Sequence, residues 1–437
     1  MKNITTQLNK KSYIAFASGL ILIIAYIISG KDCEPADDSD LQNNYPILID
    51  SENAYTYLLS LTNFPNYQTN KEIVWEYSFG ENRENEKIAE ILKQNEKTFE
   101  EVQKTISCKG FILPEPTHIY SIKTSYIASL VEKKAIYEIN TGNYDQATKT
   151  VIMGLDLGNI YLSTPQSMPL WFSGIVSYYQ QLSIIRYMAL DNKTPIENLK
   201  QLQTALENIP SIKESTVKAV KAEYIQTFKA IDKETEHFYG NSETNNTVFN
   251  TKFIYRYYFQ PNNTKQFNID RTRYIINNLK QQYYIDIEKN NDEEFTGADH
   301  KILRLIKPNV IGRLSVISYS MFPTTVHYRV YDLVCQLNAT KVVVAIAIYK
   351  KENGKYPEKL EDLVPECIST LPMDPYNGKP FQYDPTRQII YSVRENLQDD
   401  GGIIPPDDNT RRGRIVNSKR NHIKSEDDIF RIEMPKE

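Results

Sequence analysis

The stretch KVVVAIAIYKKENGKYP, residues 341–357, constrains the fold of this chain more than any other. It ends a long apolar helix that begins near Thr325 and carries Val330, Leu333, Val334, Leu337, Val344, Ala347 and Ile348 along one side. Asn353-Gly354 supplies a helix stop and Pro357 prevents the helix from resuming. Beyond it, Leu360, Leu363 and Val364 make a short amphipathic turn, and Asp374-Pro375-Tyr376-Asn377-Gly378 makes a tight one. Phe381–Tyr383 and Ile389–Val393 then alternate as a small hairpin. A two-stranded hairpin is marginal alone in water, so the helix must cover its apolar face. Residues 323–437 are therefore expected to form one small α+β module with a polar tail.

At the other end, residues 12–30 (SYIAFASGLILIIAYIISG) carry no charge. At 1.5 Å per residue such a segment crosses most of a hydrocarbon core of about 30 Å. Lys2, Lys10 and Lys11 precede it, while Asp32, Glu34, Asp37, Asp38 and Asp40 follow. The lysines predict a cytoplasmic N-terminus over residues 1–11 and an extracytoplasmic remainder. The apolar region is longer than that of an ordinary cleaved signal peptide, which favours an uncleaved anchor. Residues 31–46 read as a polar, acidic linker.

The formal charge of −4 balances 55 acidic against 51 basic residues, so no global field favours nucleic acid. Cys33, Cys108, Cys335 and Cys367 lack any Cys-x-x-Cys spacing. On the oxidising side of a membrane they permit three disulfide pairings, of which Cys335–Cys367 is favoured because one lies on the long helix and the other where the chain folds back.

Residues 47–322 read as an irregular helical domain. Ser51 is a candidate cap for a short helix with Tyr55, Leu58, Leu59 and Leu61. A helix over about 85–107 carries Ile88, Ile91, Leu92, Phe99, Val102 and Ile106. The run AIYEINTGNYDQA (135–147) is a helix, tight turn, helix, and it resembles a tetratricopeptide-type hairpin. No repeat at a fixed period of about 34 residues accompanies it. Residues 170–191 are strongly apolar, yet Arg186, two glutamines and Ser173, Ser177 and Ser183 mark a buried central helix rather than a lipid-facing one. Helices follow at about 196–208, 211–235 and 271–289. Between them, residues 240–270 form an Asn-rich interrupted loop with Phe253, Tyr255, Tyr257, Tyr258 and Phe259. These aromatics either hold a ligand or partner or fold back on neighbouring helices.

No motif for hydrolysis or nucleotide binding is visible. The five histidines are dispersed and make no His-Glu-x-x-His. A Gly-x-Ser-x-Gly elbow, a phosphate-cradling glycine loop and a dinucleotide fingerprint are lacking as well.

The C-terminal module resembles the globular part of the major pseudopilin of type II secretion systems. The resemblance covers about 340–402 and rests on Tyr349, Gly354-Lys355-Tyr356-Pro357, Leu360 with Leu363, Leu371-Pro372, Asp374-Pro375, Gly378-Lys379-Pro380, Tyr383 and Tyr391-Ser392. The wider layout resembles a group of single-span bacterial membrane proteins and implies no activity. In the pseudopilin family a calcium ion is held after the Tyr-Ser pair. The resemblance thus implies a site from Asp399 and Asp400, with Gly401-Gly402 allowing the turn and Asp427 and Asp428 closing it; hard oxygen ligands suit calcium. The chain departs from the family at Arg394 and Leu397, which stand where glycine is preferred.

Together these readings describe a mainly α protein of the bacterial inner membrane, single-pass and largely extracytoplasmic. It is expected to be a scaffold or to bind a protein partner, in association with a secretion or pilus-like apparatus. The competing reading is an extracytoplasmic carbohydrate- or peptide-binding protein, or an enzyme, using the aromatic loop 253–259.

Overall fold

A computed structural model describes residues 18–20, 32–61, 64, 67–79, 85–114, 123–240, 257–282, 308–319, 326–402 and 428–432, the side chains of 67–69 and 237–240 excepted. The apolar segment 12–30 lies outside these residues apart from 18–20, which are helical.

The described residues are mainly helical and include one three-stranded antiparallel sheet. In order, the helices are α1 (Ala54–Leu59), α2 (Tyr67–Glu76), α3 (Asn85–Gln94), α4 (Glu96–Ile106), α5 (Thr124–Asn140) and α6 (Tyr144–Ser163). They continue with α7 (Met168–Leu190), α8 (Ile196–Glu207), α9 (Ile212–Gly240), α10 (Pro261–Lys280), α11 (Val310–Tyr319) and α12 (Val326–Asn353). The strands are β1 (Gln382–Asp384), β2 (Ile389–Ser392) and β3 (Asp428–Arg431). Contacts divide the chain into two compact units: Met1–Asn43 with Val220–Ile276 and Asn291–Thr324, and Asn44–Ala219 with Asn277–Asn290 and Thr325–Glu437. Contacts change unit at Thr324/Thr325, two residues from the boundary expected at 322/323, but the residues that follow join Asn44–Ala219 in one unit, because α12 packs on α7 and α8.

In the larger unit, α5, α6 and α7 pack on one another. Gly142, at φ +79°, turns the chain between α5 and α6, and the amide of Asn143 donates back to the Glu138 carbonyl at 2.7 Å. That turn closes the end of α5 as a left-handed glycine cap does. Helices α6 and α7 approach closely because glycines face each other. The Ser177 hydroxyl donates to the Gly154 carbonyl at 2.7 Å, and a Cβ on Gly174 would lie 2.6 Å from Leu162 Cγ. The fully buried Trp171 donates Nε1 to Thr216 Oγ1 at 3.2 Å, which satisfies its indole N–H.

Helix α12 covers the sheet, touching β2 and β3. Strand β2 is central and buried at every position, with Ile390 opposite Tyr383 on one side and Phe430 on the other. Strand β3 extends the expected hairpin to three strands. Its Asp-Ile-Phe-Arg segment is short, and the long insertion before it hid the strand in the sequence. Among the described residues α12 is the one helix long and apolar enough to cross a membrane. With 72% of its apolar window buried in the protein, it is instead the core helix of this unit.

In the smaller unit, Ile231 of α9, Phe259, Phe267 of α10 and Val316 of α11 form a core. Residues read as a linker are bonded along α9 and α10. Asp32 Oδ1 accepts the Asn263 amide at 2.9 Å, Ala36 donates its amide to Gln266 Oε1 at 2.7 Å, and Arg273 donates to Asp40 Oδ1 at 2.6 Å. Tyr224 donates its hydroxyl to Asp38 Oδ2 at 2.5 Å, and Leu41 is buried.

Four sequence expectations change. Asn53, not Ser51, caps α1, its side chain accepting the Tyr55 amide at 3.2 Å. The helix over 85–107 is two helices broken at Asn95, whose buried amide group turns back to the Ile91 carbonyl at 2.8 Å and competes with the backbone ladder. Helix α10 begins at Pro261, inside the expected loop; proline suits a first helical turn, and Asp32 from far upstream supplies the acceptor that the local sequence does not reveal. Cys335 and Cys367 are not joined in the favoured disulfide. Cys335 lies by Asp428 and Asp374, whereas Cys367 lies by Glu352 and Lys200.

Candidate functional site

Polar residues recur on two helices that are otherwise apolar. On α7, Tyr179 and Arg186 are seven residues apart and so share a face; on α12, Asp332, Gln336 and Thr340 recur every four residues and form a stripe. Packing α7 on α12 brings these rows together with β3 and the turn after β2.

The result is a cluster whose members pair with one another. Tyr179 donates its hydroxyl to Asp332 Oδ2 at 2.6 Å, and Arg394 Nη2 lies 3.8 Å from Asp332 Oδ1. Arg186 donates Nη1 to Thr340 Oγ1 at 2.7 Å and its guanidinium stands 5.7 Å over the Phe430 ring. Gln336 donates Nε2 to Asp428 Oδ2 at 2.8 Å. Asp374, 1% exposed, accepts the amides of Tyr376 and Val393 at 3.0 and 3.1 Å and holds the loop beside the cluster.

Burial sets the charge states. It raises the Asp428 carboxyl to about 6, against the pull of Arg394 and Arg186. It lowers Arg186 to about 10, opposed by Asp428. Burial also pulls Arg394 down, but Asp428, Tyr376 and Asp332 carry it above its ordinary value. The guanidiniums of Arg186 and Arg394 offset the carboxylates of Asp332 and Asp428, with Asp374 close by. Arg394 reaches the cluster from a left-handed backbone, φ +49°, and Leu397 closes the same turn at φ +56°. Cys335 lies fully buried beside the cluster, where burial holds its thiol well above the ordinary range and makes it a poor nucleophile.

The residues singled out from sequence do not gather in one place. Asp399 Oδ1 accepts from the Tyr391 hydroxyl at 3.1 Å and the Gly401 amide at 2.9 Å, while Asp400 Oδ2 accepts from Asn396 at 2.8 Å. Arg387 donates Nη1 to the Gly401 and Gly402 carbonyls at 2.7 and 2.9 Å, placing a cation's charge on oxygens a metal would need. Asp428 belongs to the arginine cluster, and Asp427 lies outside the described residues. Among the described residues, no three His, Cys, Asp or Glu side chains group as metal ligands, so calcium rests on the resemblance alone.

Tyr255 also lies outside the described residues. Tyr257 and Tyr258 are half-buried with rings 5.1 Å apart, edge to face, and Phe259 is a core residue at 1% exposure. Sequence reasoning missed Tyr179, Asp332, Gln336 and Asp428 as one group. The four-residue polar stripe on α12 was the available signal.

The arrangement defines a mainly helical protein whose small antiparallel sheet is tied to its helices by a half-buried ionic cluster. Comparisons with family models, with curated proteins and with solved structures find no match to this chain.

Proposed function

We propose that this chain is a membrane-anchored extracytoplasmic scaffold or partner-binding protein, held in the bacterial inner membrane by residues 12–30 and associated with a secretion or pilus-like apparatus. One observation carries the scaffold reading: α12 is consumed inside its own unit, packed on α7, α8, β2 and β3. A helix that polymerised into a filament would need its apolar sides for neighbouring copies. Here those sides are covered, and Tyr179, Asp332, Arg394 and Asp428 bind the module to the helices.

The pseudopilin-like reading of the module is supported by Arg394 and Leu397, which adopt the left-handed backbone that glycine would take at the same positions. The aromatic-loop reading draws less support, because Phe259 is spent on the core. An affinity pull-down of the full chain from detergent-solubilised membranes tests the proposal. Recovery of envelope secretion components supports it, and recovery of no protein partner counts against it. Protease added to intact spheroplasts tests the topology: digestion of the C-terminal tail with a cytosolic marker intact is the expected result.

A further inference from the structure

We infer that the first turn of α10, with Tyr257 and Tyr258 just ahead of it, rests in the lipid headgroup layer. The inference depends on the anchor reading of residues 12–30 and adds to it a membrane-facing surface on the smaller unit. The argument is one of chain length. Gly30 ends the uncharged run, and Asp32 is two residues on, a reach of at most about 7 Å for extended chain. Asp32 is not free to wander: its carboxylate accepts the amide of Asn263 at 2.9 Å, in the first turn of α10. A headgroup layer is about 5–7 Å deep on each side, the difference between a bilayer of about 40–45 Å and its core of about 30 Å. The chain therefore emerges from hydrocarbon and is fastened to α10 within the thickness of that layer.

The surface has matching chemistry. Tyr257 and Tyr258 are half-buried, and tyrosine suits an interface in which its ring meets acyl chain and its hydroxyl meets water. Asn262 and Asn263 are uncharged hydrogen-bonding groups. Lys265 is paired with Asp232 at 2.6 Å, and Asp40 with Arg273 at 2.6 Å, which limits repulsion from either sign of lipid. The position is fixed by the fold as well. Asn309 donates its amide to the Tyr257 carbonyl at 2.8 Å, and its Oδ1 accepts the Gln260 amide at 2.8 Å and the Thr264 hydroxyl at 2.9 Å. The tyrosines are thereby tied to the helix start that Asp32 holds.

The test uses the full chain in phosphatidylcholine nanodiscs. In a Trp75→Phe, Tyr258→Trp variant, lipids brominated near the glycerol should quench the new tryptophan more strongly than lipids brominated near the chain end. In the wild-type chain, a headgroup-diazirine phosphatidylcholine should leave adducts on the 257–266 peptide, a readout that does not require the variant to fold. Release of the chain by alkaline carbonate overturns the anchor reading and this inference with it. Retention in the bilayer with neither quenching nor adducts at 257–266 overturns this inference alone.

Discussion

Tyr179 of α7 donates its hydroxyl to Asp332 of α12 at 2.6 Å, joining helices more than a hundred residues apart in sequence through a charge-assisted hydrogen bond. Such bonds contribute about 1.5–3 kcal/mol, more than the ~1 kcal/mol of a neutral pair. Asp332 also lies 3.8 Å from Arg394, so the two ends of the bond are not equivalent. Tyr179→Phe is expected to cost about 1–2 kcal/mol and Asp332→Asn more, since the latter also removes a counter-charge from Arg394. A double-mutant cycle read by urea unfolding should give a coupling above about 0.5 kcal/mol; additive effects would mean the bond carries no energy of its own.

The Asp428 carboxyl gives the fold a pH dependence opposite in sign to that of a salt-bridged acid. Burial holds it at about 6 in the folded state, against an ordinary value of 3.8. Between those values the folded chain keeps a proton that the unfolded chain releases, so stability falls as pH rises through the window. The contribution is full below the lower value and lost above the upper one, at no more than about 1.4 kcal/mol per pH unit. Asp428→Asn cannot titrate. Unfolding curves for the two proteins should converge in slope outside this window and differ within it, with wild type losing stability as pH rises. Parallel curves throughout would show that Asp428 titrates normally.

How much of this was legible beforehand follows from the range of each interaction. The central helix α7, the Gly142 turn and the α12-to-hairpin module rest on local periodicity and on turn residues adjacent in the chain, and the sequence displays them. The start of α10 depends on Asp32, a residue more than two hundred positions away, so no local window predicts it. The arginine cluster is half legible. Asp332, Gln336 and Thr340 form a visible stripe, and Arg186 is visible as a charge in an apolar run. Their partner Asp428 follows a long polar insertion, and its neighbours in sequence invite the reading of a solvated acidic loop. The resemblance assigned Asp428 to the closing segment of a calcium loop, and its surroundings here follow from β3 pairing with β2.

The crossing of α6 and α7 should be intolerant of even one methyl group at Gly174. A Cβ there would stand 2.6 Å from Leu162 Cγ and 3.2 Å from the Gly158 carbonyl, and Leu162 is itself buried. Alanine improves helix propensity by about 0.5–1 kcal/mol, but overpacking a dense core costs about 1–3 kcal/mol. The second effect wins, so Gly174→Ala is expected to lower the melting temperature and Gly174→Val to lower it further. An unchanged or raised Tm for Gly174→Ala would show that Leu162 yields without cost.

The turn after β2 offers the opposite opportunity. Leu397 is held at φ +56° while 42% exposed, so it bears left-handed strain without much burial in return. A non-glycine residue in that conformation costs about 1–2 kcal/mol, and glycine's greater freedom in the unfolded chain costs about 0.5–1 kcal/mol. Leu397→Gly is therefore expected to stabilise the protein by up to about 1 kcal/mol. Arg394 has a similar backbone, φ +49°, but its guanidinium serves Asp332 and Asp428. Arg394 is 34% exposed, so losing its charge costs less than the ~3–5 kcal/mol of a fully buried pair; the loss still outweighs the relief of strain, and Arg394→Gly should be destabilising. Chemical denaturation of the two variants side by side checks the pair. If both substitutions move stability in the same direction, the division of labour between strain at 397 and charge at 394 is wrong.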